Sequence, residues 1–203
     1  MGEGPGRKPD PVTRIPLAPN RHPAMVRFMQ SQTLPTVLVV MGVSGSGKTT
    51  IAALLAGRLG WEYADADQFH SPANIRKMHG GTPLTDRDRA PWLATMAAWI
   101  DATRQVHRHG VLACSALKRS YRDILVAGHP DVRIVYLRGD KAVITSRQAA
   151  RHNHFMPATL VDSQFATLEE PGDDEHPITV SVAPRPPTIV DIIHARLLAG
   201  PTG

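Results

Sequence analysis

Cysteine is nearly absent: Cys114 is the single one in 203 residues, which excludes a disulfide framework and a cysteine-based zinc site. Long apolar runs are missing too. No stretch approaches the roughly 18 apolar residues that a membrane span requires, and no charged-then-apolar leader opens the sequence, so the expected compartment is the cytoplasm. Net charge is scarce where a fold can form. Of the formal +5, residues 1–35 supply +3 through Arg7, Lys8, Arg14, Arg21 and Arg27 against Glu3 and Asp10, which leaves +2 for the rest. That balance gives no argument for nucleic acid as a partner. Internal repeats are lacking as well.

What remains is 42% apolar and 20% charged, the make-up of one ordinary domain with a sizeable core. Residues 1–35 hold seven prolines and three glycines without apolar periodicity, a composition that cannot bury enough surface to offset chain ordering. They read as a flexible Pro-rich extension. Residues 36–199 read as the folded domain, in which short apolar runs alternate with helix-period stretches; that pattern predicts a parallel sheet covered by helices on both faces.

Strands are expected at 36–41, 61–64, 111–114, 132–137 and 178–182. Helices are expected at 48–59, 72–79, 88–109, 118–127, 140–151, 157–168 and 187–199. Ser71 is the candidate N-cap of the second helix, with Pro72 at its first position. Trp92, Met96, Trp99, Ile100 and Val106 form the core stripe of the third.

The strongest local signal is Gly42-Val43-Ser44-Gly45-Ser46-Gly47-Lys48-Thr49, a GxxxxGK[ST] pattern that follows an apolar strand and leads through Thr50 into a helix. Its glycines let backbone N–H groups turn inward around phosphate oxygens. Lys48 reaches the β- and γ-phosphates, and the Thr49 hydroxyl can ligate Mg²⁺. The third strand runs into Ser115 rather than an aspartate, so the metal-facing carboxylate is sought at the end of the second strand. There, in Tyr63-Ala64-Asp65-Ala66-Asp67, alternation along an extended segment would turn both acids to one side, at the sheet edge where ligands of open α/β folds bind. No Asn-Lys-x-Asp pattern is present, which argues against a GTPase. In the next helix, spacing puts Asn74, Lys77 and Met78 on one face, suited to a small, polar, anionic substrate.

Six segments in order, GVSGSGKT, DADxFH, NxxKMxxGxPLTDxDRxPWL, CSALKRxYRD, YLRGD and ARxxHFMPxxLxxSQFxTLExP, resemble the small P-loop gluconokinases, relatives of the shikimate and nucleoside monophosphate kinases. The resemblance spans residues 37–198. It implies a three-layer α/β kinase fold with a five-stranded parallel sheet, a helical substrate-binding segment at about 70–110 and a short lid at about 151–170. The implied reaction makes 6-phospho-D-gluconate from D-gluconate and ATP with Mg²⁺. It leaves room for a homodimer.

Carried over residue by residue, Gly42, Ser44, Gly45, Ser46, Gly47, Lys48, Thr49 and Thr50 would hold the nucleotide. Thr49 and Asp65 would face the metal, and Asp67 is the candidate base at the sugar hydroxyl. Lys118 and Arg122, one helical turn apart, would hold the gluconate carboxylate or a phosphate. His70, Asn74, Lys77, Met78, Trp92 and His154 complete the expected substrate side, with His154 packing or hydrogen-bonding in the lid rather than ligating a metal. Arg147 and Arg151 would swing onto ATP with the lid, Arg151 in a catalytic role at the transferring phosphoryl group. Cys114 reads as packing.

The chain departs from the family pattern at Ala66, where many members have glycine, and at Ser71, inserted before Pro72. Its extension has no counterpart in the family core. Competing readings are a kinase of another small anion, such as shikimate or adenylylsulfate, and an ATP-binding regulatory module without transfer.

Overall fold

All five residues of β1 (Val37–Met41) are buried, because this strand lies at the centre of a sheet clothed on both faces. The computed structural model describes residues 34–149 and 158–200. Around β1 run β2 (Glu62–Asp65), β3 (Gly110–Ala113), β4 (Val132–Arg138) and β5 (Ile178–Ser181). All pairings are parallel, in the order β2-β3-β1-β4-β5. Chain direction across the sheet therefore reverses at β1, and the loop leaving its C-terminal end sits at the point where such sheets bind ligands. The five strands foreseen from the sequence are present within a residue or two of their expected ends.

The helices are α1 (Lys48–Leu59), α2 (Pro72–His79), α3 (Asp86–Gln105), α4 (Arg119–Val126), α5 (Lys141–Ala149), α6 (Ala158–Thr167) and α7 (Pro186–Ala199). Strand alternation sends the β1 side chains two ways. Leu38 and Val40 join Ile51 and Leu55 of α1 and Ile189 and Ile193 of α7. Val37, Val39 and Met41 join Met96 and Ile100 of α3 and Tyr121 and Leu125 of α4. Cys114, at the end of β3, packs in this second layer, and burial pushes its thiol up to about 12. It is a core residue, as the sequence suggested.

Ser71 caps α2 by accepting from the Asn74 N–H at 3.2 Å. α3 starts earlier than the apolar stripe suggested, because Thr85 and Asp88 form a capping box that pulls Asp86 and Arg87 into the first turn. It also ends earlier: Val106 lies beyond Gln105 and is 61% exposed, so the stripe closes at Ile100 and Thr103. Residues 1–33 of the expected extension, and residues 150–157, where the expected lid begins, lie outside the described residues.

Candidate active site

The loop from β1 to α1 is shaped by glycine. Gly42 has φ of +147°, and a Cβ there would lie 2.8 Å from the Leu137 carbonyl oxygen and 2.9 Å from Ser46 Oγ. Gly42→Ala therefore forces both a strained backbone and a clash with backbone; we expect a loss of about 1–3 kcal/mol in stability, read in the thermal unfolding of the ligand-free protein. Gly47 caps α1 in the left-handed region without a capping side chain, so the first-turn amides remain directed at the loop's concavity. Lys48 Nζ folds back to donate to the Val43 carbonyl at 3.1 Å. Ser46 Oγ is buried and has no hydrogen-bond partner among the described residues, a donor that a phosphate oxygen would satisfy.

The two acids meet the loop in a different way from strand alternation. β2 stops at Asp65 and a 3₁₀ turn, Ala66–Phe69, follows at once, with Asp65 as its cap. Asp65 Oδ1 accepts from the Asp67 N–H at 3.1 Å, while Oδ2 accepts from Thr49 Oγ1 and from the Tyr63 hydroxyl, both at 3.0 Å. A turn, rather than an extended pair, thus holds Asp67 beside Asp65. Burial, and next the hydrogen bond to Asp65, push the Tyr63 phenol up to about 12, so it remains a donor. The Asp67 carboxylate is exposed and carries no hydrogen bond among the described residues. One acid is anchored by three hydrogen bonds, which leaves it acceptor capacity, and its neighbour is available. The Thr49 hydroxyl and Asp65 carboxylate form a hard-oxygen pair of the kind Mg²⁺ accepts when waters and phosphate oxygens complete its shell.

Beyond the turn, His70 stacks on Trp92 with ring centres 4.6 Å apart and planes 4° from parallel. Trp92 Nε1 donates to the Ala66 carbonyl at 2.7 Å. Trp92 is thus a buried brace for the Asp67 turn rather than an open substrate contact. Burial lowers the proton affinity of His70, with Asp67 opposing and Arg89 adding to the shift, and its Nδ1 is buried without a partner among the described residues.

The polar face of α2 turns toward the start of α3. Asn74 Nδ2 donates to the Asp88 carbonyl at 2.9 Å, and Lys77 pairs with the Asp88 carboxylate at 2.5 Å. Lys77 holds that carboxyl well below the usual range, followed by Thr85. Met78 stays exposed. Lys118 pairs with Asp86 at 2.7 Å, and the Tyr121 hydroxyl donates to the same carboxylate at 2.5 Å.

Arg122 corrects the expectation attached to it. Its side chain is 1% exposed, and its Nε and Nη2 reach Glu175 at 2.5 and 2.9 Å. Nη1 donates to the carbonyls of Ala116, Leu117 and Glu169. This guanidinium ties the β3–α4 loop to the segment before β5 and does not reach the cleft. Arg147, with Gly45, Ser46, Gly47, Thr50 and the Ala183–Pro186 stretch, lines an open cavity of about 400 Å³, and its Nη2 donates to the Val182 carbonyl at 2.5 Å. Arg151 and His154, expected in the lid, lie outside the described residues.

Local patterns missed Gln164. Its Oε1 accepts from the Ser44 N–H at 2.5 Å, which fastens α6 to the phosphate loop. The residue stood in the SQF stretch of the lid segment, but its partner lies 120 positions away.

Fold and site together define a P-loop phosphotransferase of the small-kinase type, and residues 37–171 match the model of the AAA domain family. A gluconokinase of Gluconobacter oxydans is 48% identical over 77% of this chain and 88% of its own. A probable gluconokinase of Mus musculus is 45% identical over 80% and 98%. The crystal structure of a gluconokinase from Sinorhizobium meliloti, 42% identical, superposes with a TM-score of 0.74 over 82% of this chain and 93% of that one. The chain belongs to the gluconokinase family. No described helix is long and apolar enough to cross a membrane.

Proposed function

We propose that this chain transfers the γ-phosphoryl group of ATP to the 6-hydroxyl of D-gluconate, giving 6-phospho-D-gluconate and ADP, a product that feeds the pentose phosphate pathway. The observation that carries the reading is the meeting of Thr49 and Asp65 at 3.0 Å with the unengaged Asp67 carboxylate in the next turn.

In this reading the amides of the loop and of the α1 N-terminus cradle the phosphates, and the cavity beside Arg147 takes the rest of the nucleotide. Thr49 and Asp65 would hold Mg²⁺, which would supply positive charge to offset that of the phosphates. Asp67 orients the 6-hydroxyl. As the bond from O6 to phosphorus forms and the bond from phosphorus to the β,γ-bridging oxygen breaks, the hydroxyl proton passes to Asp67. The transition state is loose, so alignment of the attacking oxygen contributes more than early proton removal. Lys48 and the lid arginine Arg151 stabilise charge on the transferring group and on the ADP leaving oxygen. Lys77 and Lys118, held by acids, shape the substrate pocket alongside Asn74 and Met78.

The test is ADP release over a panel of D-gluconate, shikimate and adenylylsulfate, with the product identified as 6-phosphogluconate. Turnover with gluconate is expected. Turnover of shikimate or adenylylsulfate alone would move the assignment to another small-anion kinase, and ATP binding without transfer to any acceptor would make the protein a regulatory module.

A further inference from the structure

We propose that Arg89 binds the carboxylate of the sugar acid and gives the site its preference for an anionic over a neutral polyol. The inference rests on the gluconate reading above and adds the residue that recognises the acid end. It begins from a count of which cations at the α2–α3–α4 edge are already committed. Arg122 is buried in its pair with Glu175. Lys77 is held by Asp88 and Lys118 by Asp86. Arg76 and Arg87 are exposed. Arg89, half-buried in the second turn of α3, has no carboxylate partner among the described residues.

Among the described residues its one hydrogen bond is from Nη1 to the Tyr121 hydroxyl at 3.3 Å, with the guanidinium 6.0 Å from the centre of that ring. Four of its five N–H donors are left for a ligand, in the fork geometry that matches a carboxylate. The arm is also held in place. The Tyr121 hydroxyl that accepts from Arg89 donates to Asp86, and Asp86 is pinned by Lys118, so Tyr121 acts as a positioning residue.

Location agrees with this role. Arg89 stands three residues before Trp92 on α3, on the same helix face, and Trp92 carries the stacked His70 and donates to the Ala66 carbonyl next to Asp67. An open-chain six-carbon acid carries its carboxylate and its terminal hydroxyl at opposite ends. A half-buried guanidinium with no ion pair, one helical turn from the tryptophan that braces the Asp67 turn, and an Asp67 carboxylate with no donor, both among the described residues, are complementary to that pattern of charge.

The experiment compares kcat/KM for D-gluconate with that for D-glucitol, which has CH₂OH in place of the carboxylate, in the unaltered protein, Arg89→Gln and Arg89→Lys. Binding of a nonhydrolysable ATP analogue reports folding. Arg89→Gln should lower kcat/KM for gluconate by roughly 10- to 100-fold, chiefly through KM, because a charge-assisted pair is lost. The value for glucitol should move by less than about threefold, and analogue binding should be unchanged. If Arg89→Gln loses the analogue, Arg89→Lys carries the test, with a smaller rise in KM confined to the acid. An acid-to-neutral ratio equal to that of the unaltered protein, or a ratio that collapses in Lys118→Ala and not at Arg89, would overturn the proposal. Should another anion prove to be the substrate, the same ratio taken with its own neutral analogue still reads Arg89; a neutral preferred substrate would refute both.

Discussion

Asp67→Asn is expected to reduce turnover of gluconate by roughly 10²- to 10⁴-fold while ATP affinity changes by less than about twofold. The asymmetry between the two acids is the reason. Asp65 spends its oxygens on Thr49, Tyr63 and the Asp67 amide, so its loss would loosen the turn and the metal-facing pair together. Asp67 contributes main-chain groups to that arrangement, its N–H to Asp65 and its carbonyl to the His70 N–H, and asparagine keeps both. The substitution therefore removes a charge and a proton acceptor while preserving the turn. Single-turnover kinetics with saturating ATP, beside direct nucleotide titration, separates the two effects. Lys48→Ala is the contrasting variant, in which turnover and nucleotide affinity should fall together, because that side chain lies in the phosphate loop itself. If Asp67→Asn turned over at a near-normal rate, the acid would be a structural part of the turn and the hydroxyl would be oriented by another group.

Arg122→Ala should cost about 3–5 kcal/mol of folding stability, measured by urea unfolding, since it strands a carboxylate that is itself nearly buried. Marginal stability makes that a large share of the whole, so poor soluble expression is an expected accompaniment. Arg122→Lys should recover little, because an ammonium cannot reproduce two bonds to Glu175 together with three to main-chain carbonyls. The pair also predicts a pH dependence. Arg122, ahead of any other group, holds the Glu175 carboxyl below its ordinary value of 4.5. Its contribution is therefore complete above that value and is lost as the pH falls through the depressed one. Acid unfolding should begin at higher pH in Glu175→Gln. Were Arg122 a substrate contact, Arg122→Ala would raise KM for gluconate and leave the unfolding midpoint in place.

The two fates of cations at the same spacing show how far local reading reaches. Lys118 and Arg122 are one helical turn apart, and from the sequence both point to an anion. In the fold, Lys118 stays at the surface beside Asp86, whereas Arg122 faces inward to Glu175. Asp65 and Asp67 were recognisable as a pair, yet their closeness comes from a 3₁₀ turn capped by the first acid, which strand alternation does not describe. The departure at Ala66 has a related outcome: its small side chain is buried, and its carbonyl receives the Trp92 indole. The capping box at Thr85 was present as residues but was hidden by the apolar stripe that begins farther on.

The sequence by itself determined the phosphate loop, the parallel α/β architecture and the family. Each of these depends on chemistry within a few residues: glycines that permit a tight turn, apolar runs of strand length, and a Lys-Thr pair at the head of a helix. Only the tertiary structure decided which charges are spent and which are left to meet a substrate. The partners of Lys77, Lys118 and Arg122 stand 11, 32 and 53 positions away. Packing, not spacing, sets those distances, so Arg89 could be singled out only once Lys77, Lys118 and Arg122 had been matched to their acids.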